Sequence, residues 1–554
     1  MENVKWLLLR IRAYIFLIFA ALVGSLLESG GTTGISLLIK SLVDNVFILK
    51  NYGELFGTVS FLLLFAIVNQ LGNFLVSMVT NLYSEKEAKK MRNEVFEKIL
   101  FAPYSSLLKS SSGDFTARLL SDVQAYRNLL GDHVPKLFRD PITVVALLGV
   151  LFYRDWFLTL LLGVLVPILA LMVKYFGSKK GKHSKRLQEN LGHITQNLSN
   201  VLYGYENIRM FMAERMFFDW FKEINSRILK AGMKSALYST TNTVFNFLFG
   251  YAVVALIILY GGVRVLQGSL TPGDFISYLT ALFLIQQPLS EVQKGMMEVR
   301  ASMPIIGRIR ELLNLPREKE DGLPFEGLKE GIKVVNLSVA FGDNVVLQDI
   351  NIHVRRGEKV GIVGHTGSGK TTFLKVLAGL LDYDGSVKYD DLELKRIEKR
   401  SLRDSIAFFT QRPFLFEGSI RKNMIIAKEE ATDEEIHRAL NLAMCNFVTN
   451  LDQEIEEMGK NLSGGEVQRL ALARLFLKDP QIVILDEVTS AMDVKTEEEI
   501  LKNIFEFFGD RTILISAHRF SNILLCDRAL VFNNGVLTAE GHPEEVIKAF
   551  LQSP

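Results

Sequence analysis

The sequence predicts an all-α transmembrane domain of about six helices, with long helical extensions beyond the membrane, fused to an α/β domain. Three observations predict it. The apolar excess is confined to roughly the first 290 residues. After a charged, proline-bearing stretch, Leu315–Pro324, the pattern changes to short β-branched runs alternating with helical segments. A glycine-rich loop then stands between a strand-like run and a helical one. The domain bounds that follow are 1–314, a linker at 315–324, and 325–554.

Composition sets limits first. The chain has 554 residues, 49% hydrophobic and 22% charged, with a mean hydropathy of +0.21. These values exclude a disordered or collagen-like chain. A net charge of +2 leaves no basic surplus of the kind nucleic acid requires. Two cysteines, Cys445 and Cys526, exclude a disulfide scaffold and a multi-cysteine metal cluster.

The apolar stretches run Ile15–Leu27 and on to Ile39, Leu55–Val79, Ile142–Tyr153, Trp156–Phe176, Phe245–Val265 and Phe275–Pro288. A bilayer core of about 30 Å needs about 20 apolar helical residues, which most of these reach with their flanks. Lys5, Arg10 and Arg12 precede the first stretch, as in a secretory signal, but no small-residue cleavage pattern follows and five further stretches lie downstream. Lys86, Lys89, Lys90, Arg92 and Lys98 crowd one connection, and Lys179, Lys180, Lys182, Lys185 and Arg186 another. The alternate turns are nearly free of Lys and Arg. The expected arrangement is a multi-pass protein of the cytoplasmic membrane, with both basic connections and both termini cytoplasmic.

Both connections carry apolar residues at three- and four-residue steps: Ala88, Met91, Val95 and Ile99 in one, Leu187, Leu191, Ile194, Leu198 and Val201 in the other. They read as extensions of the membrane helices, reversing at tips placed at 111–116, held by Gly113, and 203–210, after Gly204.

In the second half, Lys359–Val363 is strand-like. Gly364, His365, Thr366, Gly367, Ser368, Gly369, Lys370 and Thr371 follow, then a helical run from Thr372. This is GxxxxGK[ST] in its strand–loop–helix context. Glycines let backbone N–H groups curl around phosphate oxygens, Lys370 neutralises the terminal phosphates, and Thr371 ligates Mg²⁺. Ile482–Leu485 is an apolar strand ending in Asp486 and Glu487. Asp486 suits the surroundings of that Mg²⁺, and Glu487 can polarise a water for attack on the γ-phosphate of ATP.

The run Leu462, Ser463, Gly464, Gly465, Glu466, followed by Gln468 and Arg469, resembles the signature segment of ATP-binding cassette (ABC) proteins. With the membrane half included, nearly the whole chain is similar to a half-transporter of the type IV exporter fold, as in multidrug and lipid A flippase proteins. The resemblance implies that Phe341 stacks on adenine and that Gln411 is the Q-loop glutamine, a Mg²⁺ ligand beside Thr371 and Asp486. It implies that Ser490 and Asp493 form the D-loop, His518 is the switch histidine, and Gln453–Gly459 is the x-loop. The Ser463–Gly465 segment would cap the γ-phosphate held by a partner subunit's P-loop, and the two tips would be coupling helices. Glu466 stands where glutamine is commoner, Phe341 where tyrosine is, and Met492 where leucine is. None of these removes a phosphate-, Mg²⁺- or water-handling group.

One chain of about six spans and one cassette implies a dimer. A homodimer is self-consistent, because every catalytic element is present, and pairing with a different half-transporter stays open. The expected activity is ATP-driven export or flipping of a lipid or drug-like amphiphile. The alternative is a nucleotide-gated channel or regulatory ABC protein. Candidate pathway residues are Glu28, Asn69, Asn73, Asn246 and Gln287, the amides having interhelical hydrogen bonding as their alternative role. No Arg or Lys flanks Pro288 closely, which argues against a multiply phosphorylated headgroup gripped at that level.

Overall fold

The computed structural model describes residues 2–12, 14–108, 112–488, 492–517 and 519–552. The chain divides into two units. One comprises residues 1–94 and 116–311, the other residues 95–115 and 312–554.

The first unit is helical. Its elements begin with α1 (Glu2–Arg12), α2 (Ile15–Ser41) and α3 (Tyr52–Leu100), the last of which runs on into the second unit, where α4 (Tyr104–Leu107) follows. The chain then returns through α5 (Ser112–Ala117), α6 (Val123–Asn128), α7 (Lys136–Arg154), α8 (Trp156–Tyr203), α9 (Tyr205–Met210), α10 (Glu214–Leu266) and α11 (Pro272–Leu313). At 1.5 Å per residue, α3 and α10 are about 74 and 80 Å long, more than twice the thickness of a bilayer core. The helices 15–48, 52–100 and 214–266 are long and apolar enough to cross a membrane among the described residues. In α7 and α11 the charges of Lys136, Arg139, Asp140, Glu291 and Lys294 interrupt the apolar run.

Helices α2 and α3 approach through glycine. A methyl group on Gly72 would lie 2.4 Å from the Glu28 backbone nitrogen, and one on Gly31 would lie 2.6 Å from the Phe65 carbonyl. Without a hydrophobic drive between helices in lipid, such close backbone approach supplies the packing. A second cluster forms around Leu147, Leu158, Ile257 and Tyr278, joining α7, α8, α10 and α11. Polar ties close the turn ends. Asp44 accepts from the Thr271 hydroxyl and the Gly273 N–H, Asp274 pairs with Lys40 and Arg154, and Asp155 pairs with Arg264.

Of the expected tip at 111–116, Ser111 lies outside the described residues and Ser112–Thr116 lie in α5, while Pro103 and α4 precede it. The second reversal, α9, lies within the expected 203–210.

The second unit is α/β. A four-stranded sheet has the order β2-β1-β4-β5, built from β1 (Gly331–Phe341), β2 (Asn344–Arg355), β4 (Asp384–Tyr389) and β5 (Leu392–Glu393). A six-stranded sheet has the order β12-β11-β3-β10-β9-β6. Its strands are β3 (Lys359–Gly364), β6 (Ile406–Phe409), β9 (Ile482–Asp486), β10 (Thr512–Ser516), β11 (Arg528–Asn533) and β12 (Val536–Gly541). A short hairpin pairs β7 (Gly418–Ser419) with β8 (Glu454–Ile455). Strands β6, β9, β10 and β3 are parallel neighbours and nearly free of polar side chains, as strands covered on both faces must be. The helices are α12 (Lys370–Leu377), α13 (Lys399–Ser405), α14 (Ile420–Ile425), α15 (Asp433–Leu442), α16 (Gly464–Lys478), α17 (Val494–Phe507), α18 (Phe520–Ile523) and α19 (Pro543–Gln552).

The α4 segment packs inside this unit. Tyr104 lies against its main hydrophobic core, with the Lys375 ammonium of α12 5.6 Å from its ring centre. The Ser105 hydroxyl donates to Asp382 at 2.8 Å, and the Glu318 N–H donates to the Phe101 carbonyl at 2.8 Å.

Candidate nucleotide site

Parallel strand order decides where the chemistry gathers. In an open parallel sheet, ligands bind beyond the carboxyl ends of the strands. Three strands of the six-stranded sheet, β3, β9 and β6, end in predicted site residues. The P-loop follows β3, Asp486 and Glu487 end β9, and Gln411 lies two residues past β6. His518 lies outside the described residues, two positions beyond the end of β10.

The P-loop is built by its glycines. Gly367 and Gly369 have φ of +85° and +100°, a region that side chains rarely adopt, and Gly369 caps the start of α12. A methyl group on Gly369 would also meet Leu347 at 2.5 Å. Lys370 is buried and folds over the loop, donating to the carbonyls of Gly364 at 2.7 Å and His365 at 3.1 Å. Burial pushes its ammonium below the ordinary lysine range, opposed by the charges of Glu487 and Asp486. The Ser368 hydroxyl is buried with no hydrogen-bond partner among the described residues. With loop amides, a lysine and a spare hydroxyl, the donor set suits phosphate oxygens. His365, Thr366 and Gly367 face outward, Thr371 and Thr372 are half-buried at the head of α12, and Phe341 leaves its ring 45% exposed at the end of β1.

Asp486 is fully enclosed and accepts from the Ser516 hydroxyl at 2.6 Å. The Glu487 N–H donates to Ser516 as well. Glu487 itself sits at φ +52°, an uncommon conformation for a non-glycine residue, and its carboxylate accepts from the Gln411 side-chain amide. Ser516 thus fixes both acidic residues. Sequence reasoning missed it, although a serine closing the apolar strand Thr512–Ser516 was the available signal.

The signature segment opens α16. The Ser463 hydroxyl accepts from the Glu466 N–H at 3.4 Å, while the Glu466 carboxylate takes the Ser463 N–H at 2.7 Å and its hydroxyl at 2.8 Å, a capping box. The Ser463 N–H and hydroxyl hold the Glu466 carboxyl below its ordinary range. Gly464 and Gly465 form the first turn. Ten residues along the chain, Arg474 donates to the Phe414 carbonyl at 2.7 Å and the Asn423 carbonyl at 2.9 Å, joining this helix to the segment after Gln411. Burial pushes Arg474 down to about 10. Asp493 caps α17 by accepting from the Thr496 N–H at 3.0 Å, whereas Ser490 lies outside the described residues.

A family model described as ABC transporter transmembrane region matches residues 17–289, and one described as ABC transporter matches residues 347–490. A protein of Desulfotalea psychrophila named ATP-dependent lipid A-core flippase is 30% identical over 99% of this chain and 97% of its own length. The chain belongs to the ABC transporter family. Proteins of the same name from Psychrobacter cryohalolentis and Syntrophus aciditrophicus are 31% and 29% identical over 88% and 95% of this transporter, and 83% and 89% of their own lengths. It is a multi-pass membrane exporter of the half-transporter type, binding nucleotide and coupling ATP hydrolysis to transport.

The membrane half places its candidates differently. Glu28 meets Arg139 at 3.8 Å, a partner that only helix packing reveals, and Arg139 also holds its chain neighbour Asp140 at 2.7 Å. Asn69 donates to the Glu28 carbonyl and the Thr32 hydroxyl, an interhelical role. Asn73 is half-buried and Gln287 exposed; the Asn246 side chain lies outside the described residues.

Proposed function

We propose that two copies, or this chain and another half-transporter, form a cytoplasm-facing pair of cassettes. Each P-loop ATP would be capped by the partner's Ser463–Gly465 turn, and hydrolysis would drive a lipid or lipid-like amphiphile between leaflets. The observation that carries the reading is that the P-loop, Asp486, Glu487 and Gln411 follow or close the ends of three parallel strands, β3, β9 and β6, of one sheet. Lys370, Ser368 and the loop amides hold the β- and γ-phosphates. Glu487 orients the attacking water and takes its proton. Its backbone lies at φ +52°, and the Gln411 side-chain amide donates to its carboxylate.

Mg²⁺ fits the oxygen donors of Thr371, Gln411 and Asp486, a hydroxyl, an amide and a carboxylate. Among the described residues no cluster of three His, Cys, Asp or Glu could hold a metal by itself. That suits an ion carried mainly by nucleotide phosphates and water, which neutralises charge on the β- and γ-oxygens when bound.

The substrate class rests on the relatives, named for lipid A-core, and on the balance of charges on α7, α11 and Glu28 of α2. Lys136 is matched by Glu291 at 2.7 Å, and Arg139 by Asp140 and Glu28. A lipid with few phosphates suits this balance better than a multiply phosphorylated one. The test is Glu487→Gln in liposomes. ATP binding should persist while hydrolysis and lipid translocation both fall at least about a hundred-fold. Translocation that persisted without hydrolysis would sink the reading.

A further inference from the structure

Helix α19 shares a buried cluster with β3 and β11. Val546 and Ile547 lie with Val363, Ala529 and Val531, and Val363 is paired with Val531 in the parallel register. Val363 is the residue that leads into the P-loop. Phe550 stands four residues after Val546 and three after Ile547, so it falls on the same helix face one turn further on. There its ring meets the imidazole of His365, the second residue of the P-loop. The ring centres are 5.0 Å apart and the planes are tilted by 38°.

The same ring touches a second loop. Phe520 stands edge-on to Phe550, with centres 6.0 Å apart and planes at 65°. Phe520 opens α18, two positions past His518 in the chain. That helix is pinned. Buried Asn522 donates to Glu497 of α17 at 2.6 Å, Glu497 also pairs with Arg519, and Ile523 is fully enclosed. Phe550 therefore rests on a fixed neighbour, and what it steadies in turn is residue 365. The His365 carbonyl accepts from the Ser368 N–H at 3.1 Å and from the Lys370 ammonium at 3.1 Å. The backbone of His365 thus shapes the loop, while its exposed side chain leans on α19.

We propose that Phe550 is a positioning residue for nucleotide binding: its ring holds His365, and through it the P-loop backbone, in the shape that receives phosphate. A loop ordered in advance loses less freedom when the nucleotide arrives. The gain is shared by the bound ground state and the transition state, so it falls on affinity and leaves turnover alone. A ring pair of this kind sets the scale at about three- to ten-fold in affinity.

This role rests on the reading of 364–371 as the phosphate loop, and the test separates the two. Full-length protein in detergent is titrated with Mg²⁺ and ADP, which engages a P-loop without the γ-phosphate contacts of a partner cassette. Lys370→Ala should abolish ADP binding; ADP held as tightly as by wild type would remove the loop reading and this role with it. Phe550→Leu keeps apolar bulk and loses the ring. It should weaken ADP binding about three- to ten-fold, raise the half-saturating ATP concentration by the same factor and leave kcat within about two-fold. Phe550→Tyr, which keeps the ring, should bind ADP within about two-fold of wild type. The double variant His365→Ala/Phe550→Leu should bind ADP no more weakly than His365→Ala alone. Unchanged ADP affinity in Phe550→Leu, equal weakening by Phe550→Leu and Phe550→Tyr, or strictly additive losses in the double variant would each overturn the role. Phe550→Leu should elute at the wild-type position on size exclusion. If it does not fold, Phe550→Met takes its place.

Discussion

The contact between α4 and the P-loop helix invites a quantitative test. Lys375 projects from α12, the helix that begins at the P-loop, and lies 5.6 Å from the Tyr104 ring centre; both side chains are half-buried. A cation over an aromatic face is worth about 0.5–1 kcal/mol when exposed and about 2 when desolvated, which places this pair near 1 kcal/mol. The Ser105–Asp382 hydrogen bond adds about 1 kcal/mol. Removing both should shift the docked-to-undocked ratio of the tip about 30-fold. Expected outcomes for Tyr104→Ala are a near-normal basal ATPase in detergent and a loss of most lipid stimulation in liposomes. Lys375→Ala should act the same way, and the double variant should lose no more than either alone, giving a coupling energy near 1 kcal/mol. Strictly additive effects, with coupling under about 0.3 kcal/mol, would refute the contact as a transmitting one. Equal loss of basal and stimulated activity would refute it too.

Glu466→Gln should lower the half-saturating ATP concentration about two- to five-fold, by removing a carboxylate beside the segment proposed to meet a γ-phosphate. It should also abolish a pH dependence. The folded Glu466 carboxyl titrates below its ordinary value of 4.5, so its capping is complete above that pH and is lost as pH falls through the folded value; amide exchange at Ser463–Val467, corrected for intrinsic rate, reads this directly. Gly72→Ala should cost about 1–3 kcal/mol, seen as a lower melting temperature in detergent, because the new methyl strikes α2 backbone. Gly250→Ala, with nothing within 4 Å, should be neutral or mildly stabilising. Burial pushes both Cys445 and Cys526 up to about 12, so neither should react with iodoacetamide at pH 8 in the folded protein, while both react after denaturation.

The nucleotide motifs were legible because each sits at the end of an apolar strand, where local sequence sets both strand and turn. Gly367, Gly369, Asp486 and Glu487 fall where their spacing places them. The packing of α4 was not legible, because Tyr104 rests on the second unit's core, a contact of long sequence separation. Ser516 escaped notice because it acts through strand neighbours, and Arg139 because its partner Glu28 stands 111 positions away on another helix. For Asn69 the sequence left pathway and interhelical roles open, and helix packing engages its amide between α2 and α3.

The grip of Arg474 on the carbonyls of Phe414 and Asn423 has a mechanical sequel. Residues from Phe414 onward are leashed to the signature helix, whereas Phe409 is woven into the sheet that carries Asp486. Only Thr410, Gln411, Arg412 and Pro413 span the gap, and the proline stiffens even that short bridge. A tilt of α16 relative to the sheet therefore has almost no slack to absorb it and must tug on Gln411, the side chain that clasps Glu487.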